Sequence, residues 1–233
     1  VTGNMFYHTG YGTGNSSAIT LNSCQWTDRY TGFHSFVMNN ICVGTFDSSS
    51  NHTDGNGIIM DISNNSFDPT TADTPPVLIL NNVVYENGGR GIHCFITTNI
   101  WVINNTCYAN GLDSLVGHGQ SGNFSTVYAQ NCNFYNNISQ AITGRLNYER
   151  SGDSPLPGVN SYLEDMYYQG AGNNFSNAGL INNDPQFTNL AVFNAASNNE
   201  GNALPLPWNL GTALTLQAGS PATSIGIDPS QLA

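Results

Sequence analysis

The sequence predicts an all-β chain organised as a parallel β-helix, a solenoid of stacked strands. Three observations carry that expectation: one short segment recurs along the chain, a second follows it each time, and the breaks are built from Gly, Asn and Asp. The first segment reads Thr2-Gly-Asn-Met-Phe-Tyr7, Met38-Asn-Asn-Ile-Cys-Val43, Leu80-Asn-Asn-Val-Val-Tyr85, Ile103-Asn-Asn-Thr-Cys-Tyr108 and Gln130-Asn-Cys-Asn-Phe-Tyr135. The second reads Ala18-Ile-Thr-Leu21, Gly57-Ile-Ile-Met60, Gly91-Ile-His-Cys94, Ser114-Leu-Val-Gly117 and Ala141-Ile-Thr-Gly144. Asn82 to Ile92, Asn105 to Leu115 and Cys132 to Ile142 are equally spaced, which is the behaviour of successive coils rather than of hairpins. The runs are short and β-branched, so an amphipathic helix does not fit them.

In-register stacking at a strand spacing of ~4.8 Å places like side chains over like. One column would hold Asn4, Asn40, Asn82, Asn105 and Cys132 as an asparagine ladder. An apolar column would hold Phe6, Cys42, Val84, Cys107 and Phe134, and an aromatic one Tyr7, Val43, Tyr85, Tyr108 and Tyr135. Coils are expected over residues 1–148, with 149–233 forming the last coil and a capping segment of the same domain. Residue 1 falls directly into a strand segment. An open edge there implies further coils upstream, or self-association through that end.

Composition narrows the partners. The chain has no lysine, four arginines against 15 acids and a net charge of -11, which repels nucleic acid and anionic membrane surfaces. No apolar run approaches the ~20 residues of a membrane helix. Five cysteines without a C-x-x-C spacing argue against zinc and against a disulfide framework, and Cys42 and Cys107 are expected to be buried and not joined to each other. Seven N-x-S/T sites, at Asn15, Asn51, Asn64, Asn104, Asn123, Asn137 and Asn174, fit a secreted, extracellular glycoprotein, although an Asn-rich chain also produces such sites by chance.

Asp54-Gly-Asn-Gly-Ile-Ile-Met-Asp61, Asn87-Gly-Gly-Arg-Gly-Ile-His93 and Asn104-Asn-Thr-Cys-Tyr108, with Asp184-Pro-Gln-Phe187 and Gly219-Ser-Pro-Ala222 near the end, resemble the right-handed parallel β-helix repeat proteins of the pectate-lyase-like superfamily. The resemblance implies a carbohydrate-active protein. Its members include polysaccharide lyases, glycoside hydrolases, epimerases and non-catalytic binders, so it implies a fold more sharply than a reaction. The lyase pattern of an acidic calcium cluster beside Arg-x-Pro-x-x-Arg is absent, with Arg145-Leu-Asn-Tyr-Glu-Arg150 only a distant echo, and a lysine base cannot exist here.

Strand alternation turns Ile19, Ile58, Ile92, Leu115 and Ile142 inward and leaves Thr20, Ile59, His93, Val116 and Thr143 outward, followed two residues on by Asn22, Asp61, Phe95, His118 and Arg145. For a lyase acting on an acidic glycan, Arg90 and Arg145 would neutralise the carboxylate, His93 or His118 would act as base and Tyr148 as acid. Asp54, Asn56, Asp61 and Phe95 would line the substrate. Asp54 and Asp61 are also candidate calcium ligands, against the simpler reading of Asp-Gly-Asn-Gly as a tight turn. Trp26, Trp101 and Trp208 could stack on sugar rings or pack internally. The competing expectation is a non-catalytic glycan-binding or structural solenoid, with Arg90 capping its turn and paired to Asp54.

Overall fold

A computed structural model describes residues 1–10, 14–24, 28, 30–62, 75–116, 120–152, 159–188 and 214–224. Strands follow one another in threes: β1 (Met5–Tyr7), β2 (Ile19–Asn22) and β3 (Ser35–Met38), then β4 (Ile41–Val43), β5 (Ile58–Asp61) and β6 (Val77–Leu80). The third triplet is β7 (Val83–Tyr85), β8 (Ile92–Phe95) and β9 (Thr98–Ile103), and the fourth is β10 (Thr106–Tyr108), β11 (Phe124–Val127) and β12 (Gln130–Tyr135). The series continues with β13 (Ile138–Ala141), β14 (Tyr148–Ser151), β15 (Ser161–Leu163), β16 (Asp165–Gln169) and β17 (Leu180–Asn182).

Each strand through β13 pairs in parallel with the strand three places later, which sorts the chain into three sheets. The first sheet runs β1-β4-β7-β10-β13-β16-β17, the second β2-β5-β8-β11-β14 and the third β3-β6-β9-β12-β15. This all-β arrangement is compatible with a parallel β-helix. Alternation sorts the side chains: in the third sheet Val37, Ile79, Val102 and Phe134 are buried, while Phe36, Leu78 and Trp101 on the other face are exposed or half-buried. The inward residues of all three sheets form one core. Toward its later strands rings fill it, Phe124 stacked on Tyr148 at 4.9 Å and Phe134 on Tyr162 at 5.2 Å.

The asparagine ladder is present. Asn40 Oδ1 accepts from the backbone N–H and the side-chain amide of Asn4 (3.0 and 3.3 Å), and Asn82 does the same for Asn40, Asn105 for Asn82 and Asn137 for Asn105. Asp165 closes the series, its Oδ1 2.8 Å from both donors of Asn137. The paired asparagines divide the labour. The first of each pair, Asn39, Asn81, Asn104 and Asn136, holds a left-handed corner at φ 53 to 57°, which Asn tolerates better than other side-chain-bearing residues, and the second is the rung. A second ladder that the repeat did not reveal links Asn87, Asn110 and Asn123 by the same two-donor pattern, then passes through Ser139 to Asn147.

Several registers differ from the repeat alignment. Ile19, Ile58 and Ile92 are in register, but Phe124 and Tyr148 follow them, not Leu115 and Ile142. Leu115 is 65% exposed. Cys132, Phe134 and Tyr135 belong to β12 in the third sheet, so Asn137, Ser139 and Gln140 take their expected places in the first. The cause is loop length: from the first sheet to the second, Ile92 lies nine positions after Val83 but Phe124 lies 18 positions after Thr106. The expected break at 148/149 cuts through β14, and strands continue to Asn182. In the described part of the C-terminal stretch, Phe187 bridges Leu216 and packs on Tyr108, against the outer face of the first sheet. Cys42 and Cys107 are buried, free and separated by Val84, as the alignment demanded.

Asp165 makes the ladder pH-sensitive. Burial pushes its carboxyl up to about 8 against the hydrogen bonds of Asn137, so the folded chain holds a proton that the unfolded chain, with a carboxyl near 3.9, releases. Stability attributable to this group is full below the unfolded value and is lost as pH rises toward 8. Asp165→Asn keeps the acceptor and removes the titration. It should stabilise the protein at pH 7 by about 3–4 kcal/mol while changing little at pH 3.5, as read by urea unfolding. An equal gain at both pH values would refute this account of Asp165.

Candidate functional site

The expected site lies on the outer face of the second sheet. There Thr20, Ile59, His93, Ser125 and Glu149 stand in one column, and only Thr20 is exposed. His93 points away from the core, as alternation requires, yet is 4% exposed and lies beside Phe95 at 5.6 Å.

Arg90 reaches the same column from the turn before β8. Two glycines make that turn: a side chain at Gly89 would meet the Asp54 carbonyl at 2.4 Å, and one at Gly91 the Asn123 carbonyl at 2.6 Å, so the turns of successive triplets stack backbone to backbone. The Arg90 amide donates to Asn56 Oδ1 at 2.9 Å. Its side chain is 4% exposed and its Nε donates to Glu149 Oε2 at 3.3 Å, across the intervening β11. The same Glu149 oxygen accepts from Ser121 at 2.8 Å and Ser125 at 2.7 Å. Burial works against the Arg90 charge, and the carboxylates of Glu149 and Asp54 sustain it.

These contacts revise the assigned roles. The direct partner of Arg90 is Glu149, with Asp54 a longer-range one. Tyr148, expected to be an acid, is 1% exposed, faces the core and stacks on Phe124; burial pushes its phenol up, and a core phenol cannot meet a polymer. Arg145 lies outside the outward column, in the turn after β13, and donates to the Asp113 carbonyl at 3.1 Å. Arg90 and Arg145 do meet at one cleft, together with Asp113 and Ser121, but it is too narrow for a water-sized molecule. His118 lies outside the described residues, as do Asn64, Trp26 and Trp208.

Asn56 is fully buried and serves the turn, its amide donating to Ser17 Oγ at 3.1 Å and Asp54 Oδ1 at 3.0 Å. Asp61 is half-buried and accepts from Asn22 at 2.8 Å. Burial raises the Asp54 carboxyl, with the Asp61 and Asp47 charges adding to the shift. Among the described residues no three acidic, histidine or cysteine groups converge as a calcium site would need. Of the described N-x-S/T asparagines, Asn15, Asn51 and Asn174 are exposed and Asn104 is half-buried. Asn123 and Asn137 are fully buried rungs whose amides donate within the ladders, so a glycan on either would remove a rung.

The third sheet presents a different surface. Its outer face carries Phe36 (42% exposed), Leu78 and Trp101 in one row, then Met38, Leu80, Ile103, Tyr135 and Leu163 (41% exposed) in the next. Phe33 lies edge-on to Trp101 at 6.0 Å and near Phe36 at 6.2 Å, and Trp101 lies near Tyr135 at 5.8 Å. Asn133 and Ser161 continue the first row, and neither row contains a charge. Of these residues the sequence had suggested only Trp101; placing β12 in the third sheet reveals the rest.

No family model, curated protein or solved structure matches the chain.

Proposed function

We propose that the protein is a secreted, right-handed parallel β-helix of the pectate-lyase-like kind that binds a neutral polysaccharide without cleaving it, along the outer face of its third sheet. The observation that carries this reading is the uncharged, partly exposed aromatic cluster of Phe33, Phe36, Trp101 and Tyr135. Apolar patches of this kind mark interaction surfaces. The C–H faces of a sugar ring pack on aromatic rings while its hydroxyls reach polar neighbours, here Asn133 and Ser161. An acidic polymer would be repelled by a chain of net charge -11 whose Arg90 is already neutralised by Glu149. The strand sequence supports a solenoid, with the Phe187 and Leu216 segment covering its first sheet. Glycans would sit on Asn15, Asn51 or Asn174.

Affinity electrophoresis in gels cast with neutral β-glucans or with polyuronates tests the reading. Retardation by a neutral polymer is expected, weakened tenfold or more, about 1.4 kcal/mol, by Trp101→Ala and by Phe36→Ala, with melting temperatures preserved. Retardation by polyuronate alone would overturn it.

A second reading, a lyase on an acidic glycan, draws support from one observation: Arg90 and Arg145 line the same cleft, which would have to open to admit a polymer. It predicts an unsaturated product with ultraviolet absorbance from polyuronate, abolished by Arg145→Ala.

A further inference from the structure

A second place in the fold is built to hold something small. At the end of the first-sheet strands, Glu86 and Ala109 just after β7 and β10 and Ala141 and Gln169 closing β13 and β16 form one corner column; Ala141 and Gln169 are paired directly, and the others follow from the register of Tyr85, Tyr108 and Gln140. Glu86 and Gln169 carry long polar side chains, and the two alanines between them leave a gap. That gap is a cavity of about 350 Å³, walled by Tyr108, Ile142 and Thr143. Three strand spacings of ~4.8 Å separate its polar ends, ~14 Å in all.

Glu86 is an unusual occupant. It is 4% exposed, its Oε2 has no hydrogen-bond partner among the described residues, and its backbone sits at φ 49° where the equivalent residue one strand earlier is Gly44. The left-handed corner is shared with His8, Gly44, Ala109 and Gln169, but a buried acid with an unpartnered oxygen is costly, and such costs concentrate at sites of function. At the other end Gln169 Oε1 accepts from Gln140 Nε2 at 3.1 Å, which fixes the side-chain amide.

We propose that this cavity binds a neutral, hydroxyl-bearing ligand of one or two sugar units, hydrogen-bonded by Glu86 at one end and by Gln169 at the other. Neutrality follows from the lining, which holds no charged group besides Glu86. Burial pushes that carboxyl up to about 8, so at neutral pH it is a donor as well as an acceptor. The other titratable groups near Glu86 are the phenol of Tyr85, which burial and the Glu86 charge both raise, and that of Tyr108 in the cavity wall, with His8 two strands away in the same corner column. The site is separate from the aromatic face, so either can fail alone.

Saturation-transfer NMR and titration calorimetry of the full chain with glucose, galactose, their methyl glycosides and cellobiose at pH 6 test the proposal. At least one sugar should bind, and Ala141→Leu, which fills the floor, should weaken it tenfold or more without lowering the melting temperature. Trp101→Ala should leave this binding intact. Wild-type binding should fall between pH 7 and pH 9, whereas Glu86→Gln, which cannot ionise, should hold it constant. Absence of binding by every sugar, survival of binding in Ala141→Leu, or the same pH-dependent loss in Glu86→Gln would overturn the proposal. Should Ala141→Leu fail to fold, the pH comparison with Glu86→Gln decides.

Discussion

Replacing Asn105 by alanine should destabilise the protein by about 4 kcal/mol or more, because each buried polar group left without a partner costs ~1–3 kcal/mol. Asn105 is fully buried, and its Oδ1 is the acceptor for both the backbone and side-chain amides of Asn82, at 2.9 Å each. Its own amide donates to the Ile79 and Ile103 carbonyls and to Asn137. Alanine therefore leaves two donors and several acceptors stranded between strands that cannot move apart. Asn4, at the exposed first rung, offers a control: Asn4→Ala should cost ~1 kcal/mol or less because water replaces what is lost. Urea denaturation of the two variants gives the comparison. Equal, small effects would mean that the ladder contributes no more than surface hydrogen bonds.

Glu149→Ala is expected to cost ~3–5 kcal/mol, the usual consequence of leaving a buried charge without its counter-ion. Arg90 would keep its place under the second sheet's outer face, and Ser121 and Ser125 would lose their common acceptor. The double variant Arg90→Met/Glu149→Leu should recover much of that loss, since a well-packed apolar pair avoids the desolvation of two charges. If Arg90 were held for a ligand instead, Glu149→Ala would leave stability nearly unchanged and alter binding. Additive losses in the double variant would equally contradict the pairing.

What the sequence made legible follows from local chemistry. The recurring asparagines announced the ladder, and the four rungs Asn4, Asn40, Asn82 and Asn105 fell where expected, whereas the left-handed corner falls one residue earlier, on Asn39, Asn81 and Asn104, and not on the rung itself. Strand alternation placed His93 outward and Cys42 inward. Register failed once loop lengths changed: the Ser114-Leu-Val-Gly and Ala141-Ile-Thr-Gly segments imitate a strand, but the chain travels further before β11 and β14 begin. With Tyr148 aligned to Ile92, Glu149 falls in the column of His93, and the Arg90 partner becomes visible from the sequence. Burial of that column could not be read at all, since period-2 alternation separates inward from outward but not outward-covered from outward-exposed. Glu86 was hidden for a related reason, its position being defined by a corner rather than by a strand.

The most direct test of the proposed function is chemical-shift mapping with a neutral β-glucan oligosaccharide and, separately, an oligogalacturonide. The account predicts that the neutral ligand shifts the Trp101 indole and the ring resonances of Phe33, Phe36 and Tyr135, leaving Arg90, His93 and Arg145 undisturbed. Shifts centred on Arg90, His93 and Arg145, produced by the acidic oligosaccharide alone, would contradict it.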